Sequence, residues 1–292
     1  MYRKFYGLRR KPFELSPDPF FYYPTTVHNE GLALLTYGVQ EKKGFVVVSG
    51  EVGTGKTLLV RCLMDSLNRH KIAFAFVYNP VLSVPEFLAH LLNEFGLPSK
   101  SNSKIELLSS LNNYLLTRSR RGETTALVID EAQLLNWQLL EEIRLLTNLE
   151  TSHYKLLQIV LIGQPELEQK LDSLELRQLK QRVAMRCRLK PLELDDVRGY
   201  ICRRLELAGA NSHAATIYPE ETIQTVHQFA RGIPRLINTI GENTLIAGYS
   251  KQAKQITPEI VYEVGMDLRL EPATKPPASK SFGMGDWELL PS

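Results

Sequence analysis

Short unbroken apolar runs, rich in β-branched residues, alternate with stretches whose apolar residues recur every three or four positions. The unbroken runs fall at residues 45–49, 72–78, 125–129, 156–162 and 183–189. Such runs suit strands buried on both faces. Helical spacing is carried by Leu32, Leu35 and Val39 over residues 27–42, and by Leu58, Leu59, Cys62, Leu63 and Leu67 after the first strand. It continues over residues 85–95, which begin with proline in the first turn, over 105–118 through Leu107, Leu108, Leu111 and Leu115, and over 139–148. Strands alternating with helices predict a parallel sheet covered on both faces. Beyond Leu192 the strand pattern stops, and helices are expected at 195–208, 219–231, 234–249 and 258–268.

The flanks read differently. Residues 1–24 hold Pro12, Pro17, Pro19 and Pro24 among Phe5, Tyr6, Phe13, Phe20, Phe21, Tyr22 and Tyr23. The prolines forbid a long helix, and the aromatics need a surface to pack on. An irregular, ordered strap across the main domain is the expectation. The last residues, rich in Pro, Ser, Lys and Gly from Glu271 onward, read as a flexible tail in which Trp287, Leu289 and Leu290 can serve as a docking peptide. The chain thus divides into a strap at 1–26, an α/β core at 27–191, a helical module at 192–268 and a tail at 269–292.

Composition excludes little. A hydrophobic fraction of 43% and a charged fraction of 23% are those of an ordinary globular protein, and a net charge of +3 by itself implies no polyanionic partner. Cys62, Cys187 and Cys202 are odd in number, far apart and without zinc spacing, which fits buried thiols in a reducing compartment. The basic N-terminus lacks the apolar stretch of a secretory signal, and no segment approaches the ~20 apolar residues that cross a bilayer. A cytoplasmic location without a membrane span is the expectation.

Residues Gly50, Glu51, Val52, Gly53, Thr54, Gly55, Lys56 and Thr57 form the phosphate-loop pattern G-x-x-x-x-G-K-[ST]. The glycines let the backbone turn tightly so that successive N–H groups point at phosphate oxygens. Lys56 brings a charge to the β- and γ-phosphates, Thr57 offers a hydroxyl to Mg²⁺, and the helix that follows, through Leu58, adds its positive end. The strand before and the helix after supply the context this chemistry requires.

The third strand ends Asp130-Glu131, two acids at the carboxyl end of a parallel strand, where ligands of open sheets bind. Asp130 is a candidate metal ligand, and Glu131 a candidate to polarise the attacking water; the competing reading is an acid pair at a helix start. Gln164, at the end of the fourth strand, is a candidate to contact the γ-phosphate or to position water; a turn residue capping the next helix is the competing reading. Within the basic segment 177–186, Arg182, then Arg177, then Arg186, are candidates for an arginine that reaches a neighbouring subunit's nucleotide; a solvated basic face is the plain alternative. Arg235, opening a helix of the second module, either bends back to the γ-phosphate or is a surface arginine.

Taken together, these segments resemble the AAA+ ATPases. Within them the chain is similar to the ExeA-type group, general secretion pathway protein A. The resemblance covers about residues 1–268. It rests on Phe5-Tyr6-Gly7-Leu8, Lys11-Pro12-Phe13, Pro17-Asp18-Pro19 and His28-Asn29-Glu30, and on the phosphate loop and Asn79-Pro80. Asp130-Glu131-Ala132-Gln133, Asn148-Leu149-Glu150-Thr151, Gly163-Gln164-Pro165-Glu166-Leu167, Pro191-Leu192 and Ile233-Pro234-Arg235-Leu236-Ile237-Asn238 continue it. It implies an αβα P-loop NTPase core with a five-stranded parallel sheet and a helical lid, with ATP and Mg²⁺ as ligands. It further implies hydrolysis and a nucleotide-dependent homo-oligomer, as a ring or filament. Arg182 takes the finger position in trans and Arg235 the sensor-2 position, while Gln164 departs from the asparagine or threonine common at sensor 1.

Full-length secretion ATPases of this type carry a transmembrane helix and a peptidoglycan-binding domain. With neither expected in this sequence, the chain resembles instead the short soluble members tied to pilus biogenesis or exopolysaccharide export, whose partners bring them to the inner membrane. An assembly ATPase of an envelope export machine is the first expectation. A DNA-binding regulator like the transposition ATPases of the TnsC and TniB type is the second, and a non-hydrolysing nucleotide-gated scaffold the third.

Overall fold

The computed structural model describes residues 1–97, 101–152, 154–210 and 213–273. The strands are β1 (Phe45–Gly50), β2 (Ala73–Val77), β3 (Thr125–Ile129), β4 (Gln158–Gly163) and β5 (Met185–Leu189). They form one sheet in the order β2-β3-β4-β1-β5, with every pairing parallel. The three central strands are buried along their whole length, as their unbroken apolar sequences require, while the edge strands β2 and β5 are partly covered.

Helices cover both faces. Those of the core are α2 (Thr26–Gln40), α3 (Lys56–Arg69), α4 (Val84–Glu94), α5 (Lys104–Arg120), α6 (Trp137–Leu146), α7 (Pro165–Leu171) and α8 (Arg177–Lys180). Alternate residues of each strand point to opposite faces. Val47, Leu127, Ile129, Ile159 and Leu161 therefore meet α4 to α8, whereas Val46, Val48, Val128, Val160 and Ile162 meet Leu35 and Val39 of α2 and Leu59, Leu63 and Leu67 of α3. Each such buried leucine contributes about 1.5–3 kcal/mol by leaving water. The alternation seen in the sequence thus yields the three-layer αβα arrangement it predicted.

Differences lie at element ends and in short helices. The fourth strand begins at Gln158, not 156, because Leu156 N–H bonds back to Leu149 C=O at 2.9 Å in a small turn. The fifth begins at Met185, not 183, since the Val183 N–H still bonds to Lys180 C=O at 3.2 Å and prolongs the turn after α8. The helix expected at 139–148 starts earlier, at Trp137, because the Asn136 side chain accepts the Leu139 N–H at 2.8 Å and caps it. α7, α8 and the later α10 (Ala214–Ile217) are too short to register as a periodicity.

The helical module comprises α9 (Leu194–Leu205), α10, α11 (Glu220–Ala230), α12 (Pro234–Ser250) and α13 (Pro258–Asp267) around its own apolar core. The strap is where the sequence expectation needs correcting. It contains two helical turns, α1 (Tyr2–Phe5) and a 3₁₀ turn at Pro19–Phe21. It does not lie across the α/β core: Tyr2, Tyr6, Leu8, Phe13 and Phe21 are built into the core of the helical module. Arg9 and Arg10 N–H groups both donate to Ala208 C=O, at 2.7 and 3.1 Å, and Tyr6 Oη donates to Ala253 C=O at 2.8 Å. Only its end reaches the α/β core, where Arg61 of α3 bonds to Pro17 C=O and Tyr22 packs beside α2 and α3. Apolar surface left open on the small helical module is what the aromatics cover. The tail with Trp287, Leu289 and Leu290 lies outside the described residues.

Candidate functional site

β3, β4 and β1 are neighbours, so their carboxyl tips stand side by side, about 4.8 Å from one strand to the next. The tip of β1 is the phosphate loop, that of β4 is Gln164, and that of β3 is Asp130-Glu131. Strand order therefore brings together segments about eighty residues apart, with Gln164 between the other two.

The loop turns through positive φ at Gly53 (+82°) and Gly55 (+98°), conformations that side chains rarely adopt, and α3 begins directly after Gly55. Thr54 is fully buried and its Oγ1 donates to Glu51 C=O at 2.8 Å. Lys56 is 6% exposed, its Nζ donating to Gly50 C=O at 2.7 Å and Glu51 C=O at 2.9 Å. Burial lowers its pKa, and Glu131, Asp130 and Glu51 oppose that shift. The ammonium thus sits at the centre of the loop, with both acids of β3 near enough to be felt.

Asp130 is 1% exposed. Its Oδ1 accepts the Glu131 N–H at 2.9 Å, while its Oδ2 is buried with no hydrogen-bond partner among the described residues. Burial pushes its carboxyl above the usual carboxylate range; the Glu131 N–H, Lys56 and the Thr57 hydroxyl pull the other way. A buried, unsatisfied carboxylate oxygen beside a hydroxyl is a donor set that fits a hard divalent cation. Glu131 follows in the left-handed region at φ +51°, a conformation that costs a non-glycine residue about 1–3 kcal/mol and clusters at functional sites. Its Oε2 accepts from Gln133 Nε2 at 2.6 Å and from Gln164 Nε2 at 3.4 Å.

A cleft of about 410 Å³ lies between the α/β core and the helical module; Asp130 and Thr54, both buried, do not line it. Val52, Gly53, Gly55, Lys56, Thr57, Leu58, Glu131, Gln164 and Arg235 all face it. Arg235 is anchored by its backbone, whose N–H donates to Gly53 C=O at 3.2 Å. Sequence reasoning missed the other wall, made of Leu15 to Asp18 of the strap with Tyr78, Tyr200, Arg204 and Asn238. Arg204, 4% exposed, donates to Pro12 C=O and Tyr200 Oη and stacks on Phe21, which ties strap to module. Pro17, Asp18 and Asn238 fall in segments that carry the resemblance, but nothing local says that they face the cleft, and Leu15, Ser16, Tyr78, Tyr200 and Arg204 fall in no such segment.

Arg182 is not in the cleft. It is exposed, donates to Asn148 Oδ1 at 2.9 Å, and lines a separate polar hollow of about 550 Å³ with Arg144 and Arg177. Arg186 lies outside that hollow and is ion-paired to Glu168 at 2.6 Å.

Residues 39–171 match a family described as AAA domain. Over 257 residues the chain is 44% identical to general secretion pathway protein A of Aeromonas hydrophila. The chain carries an AAA domain, and over most of its length it is similar to general secretion pathway protein A. That alignment takes in 88% of this chain but 46% of the relative, so the chain spans about half the relative's length. The fold is shared with Cdc6p from Pyrobaculum aerophilum, at TM-score 0.65 and 19% identity over 88% of this chain and 70% of that one. ORC2 of Aeropyrum pernix, solved as ADPNP–ADP complexes, matches at TM-score 0.64 and 12% identity over 88% and 71%. At such identities the likeness is one of fold. Among the described residues no helix is long and apolar enough to cross a membrane.

The AAA+ loop of this chain has a support that the sequence did not disclose. His28 of α2, 6% exposed, contacts Thr54 C=O through Nε2 at 2.8 Å and Thr25 Oγ1 through Nδ1 at 2.7 Å. A carbonyl only accepts, so Nε2 carries the proton and Nδ1 accepts from the hydroxyl. Burial lowers the pKa of this imidazole. The unfolded chain takes up the proton near pH 6.5, the folded chain only at lower pH. Stability present above about pH 6.5 is therefore lost as pH falls below it. In thermal melts the native chain is expected to lose stability relative to His28→Gln on going from neutral to mildly acidic pH. A constant difference between the two would remove His28 as the cause.

Proposed function

We propose that this AAA+ chain binds ATP with Mg²⁺ in the cleft, hydrolyses the nucleotide, and does so in an oligomer whose neighbour completes the site. The observation that carries the reading is the buried, unsatisfied Asp130 Oδ2 set opposite the phosphate loop. Thr57 and Asp130 hold the metal. Bound there, Mg²⁺ supplies positive charge to the phosphate oxygens. The N–H groups of the loop and Lys56 hold the β- and γ-phosphates. Glu131 takes the proton of a water whose oxygen bonds to the γ-phosphorus as the bond to the bridging oxygen of ADP breaks. Gln164, between loop and Glu131, orients that water. Arg182 of the next subunit meets the charge that spreads over the transferred group. Arg235 reads the γ-phosphate from the first turn of α12, and its loss on hydrolysis lets the helical module turn.

The identity to general secretion pathway protein A supports a place for this cycle in secretion, and the resemblance drawn from the sequence extends it to pilus biogenesis or exopolysaccharide export. The work there is assembly or remodelling of a partner complex, from the cytoplasmic side of the inner membrane. The test is phosphate release from MgATP against protein concentration. Specific activity is expected to rise with concentration as shared sites form. Absence of turnover at every concentration would dispose of the proposal, and activity independent of concentration would dispose of the shared site.

A further inference from the structure

We propose that Gln133 is a positioning residue for the carboxylate of Glu131, an inference that rests on the water-activating role given to Glu131 above. Gln133 sits in the 3₁₀ turn Ala132–Leu134, between the tips of β3 and β4. Its Nε2 donates to Glu131 Oε2 at 2.6 Å, and its Oε1 accepts the Gln164 N–H at 3.0 Å. The second contact orients the amide. A backbone N–H only donates, so the carbonyl end must face Gln164 and the NH₂ end must face the carboxylate.

The fold makes room for this bridge. Gly163 ends β4, and a Cβ there would lie 2.8 Å from Gln133 Oε1 and 3.2 Å from its backbone nitrogen. A side chain at that position would push the turn off the strand. From the far side, Lys170 of α7 bonds to Gln133 C=O and, at 3.0 Å, to Leu135 C=O. Turn, helix and strand tip are thereby fastened together, with the glutamine at their junction.

The consequence is directional. Gln133 and, at 3.4 Å, Gln164 converge on the same oxygen, Oε2 of Glu131. Proton acceptance is thereby directed to Oε1. Hydrogen bonds to an ionised group are the strong ones, so the contact holds the carboxylate in one orientation instead of letting it rotate in the cleft. It also links that orientation to the end of β4, so a shift of Gln164 is transmitted to Glu131.

Gln133→Ala removes both contacts. Gln133→Glu keeps an acceptor for the Gln164 N–H but puts a like charge against Glu131 in place of the donor, so it spares the support of the turn and reverses the contact at Glu131. ATP turnover and nucleotide affinity of both variants, of Glu131→Gln and of the double variant Glu131→Gln/Gln133→Ala decide the matter. Each Gln133 variant is expected to lower kcat by roughly 10- to 100-fold, the usual cost of losing an outer-shell partner, with affinity for ATP unchanged. The double variant is expected to be no slower than Glu131→Gln, because residues acting as one unit do not add. Native kcat in Gln133→Glu overturns the inference, as does a double variant slower than Glu131→Gln by the full factor of Gln133→Ala. Native turnover in Glu131→Gln overturns the role of Glu131 itself, and that of Gln133 with it.

Discussion

The Glu131→Gln variant is expected to bind ATP and to turn it over more slowly by ~10²–10⁴-fold, the span of a positioned general base. Glutamine preserves volume and can still engage the Gln133 and Gln164 amides that meet Oε2 at 2.6 and 3.4 Å. What it lacks is a basic oxygen for the proton of the attacking water. It also removes a negative charge beside a triphosphate, so affinity does not fall. Asp130 keeps its buried place and the Glu131 backbone its left-handed turn, because neither depends on the side-chain charge. Binding of a fluorescent ATP analogue and phosphate release measure the two halves separately. Turnover near the native rate would leave Glu131 without its role.

Arg182→Ala is expected to keep nucleotide and to lose roughly 10³-fold or more of the hydrolysis rate, the usual effect of removing a finger. The expectation comes from where the side chain is. Arg182 stands exposed in the hollow it shares with Arg144 and Arg177, outside the cleft that holds Lys56 and Glu131. Arg186 is engaged by Glu168 on its own subunit. Arg182→Lys should not restore the rate, since an ammonium lacks the planar fork that spans a transferred phosphoryl group. Mixing decides whether the site is shared. Lys56→Ala protein carries an intact Arg182 and a disabled loop, so mixed oligomers with Arg182→Ala contain some complete sites and should recover part of the activity. Mixtures as inactive as their components would argue that Arg182 acts within one subunit or not at all.

Much of this site is legible in one dimension. The glycines at 50, 53 and 55, the Lys56-Thr57 pair and the two acids closing an apolar run are local signals, each spanning a few residues. The same holds for β1, β3 and β4, whose unbroken apolar sequences admit few alternatives. Short elements were less readable: α7, α8 and α10 complete too few turns to show a period, and the start of α6 depended on the cap supplied by Asn136. Gln133 and His28 stood in plain view within the resemblance, yet nothing in the sequence says what they touch. Their partners are Gln164, thirty-one residues on, and Thr54, twenty-six residues on.

By itself the sequence determined the kind of chemistry and the kind of sheet, because loop spacing and apolar periodicity are properties of neighbouring residues. Tertiary structure alone decided that the strap serves the helical module, that Leu15 to Asp18 and Arg204 wall the cleft, and that the arginines of 177–186 part company. These outcomes follow from side-chain packing between distant segments. Phe13 can bury its ring only where α9 to α13 leave a hollow, and a guanidinium goes to whichever carboxylate or amide the fold sets within reach.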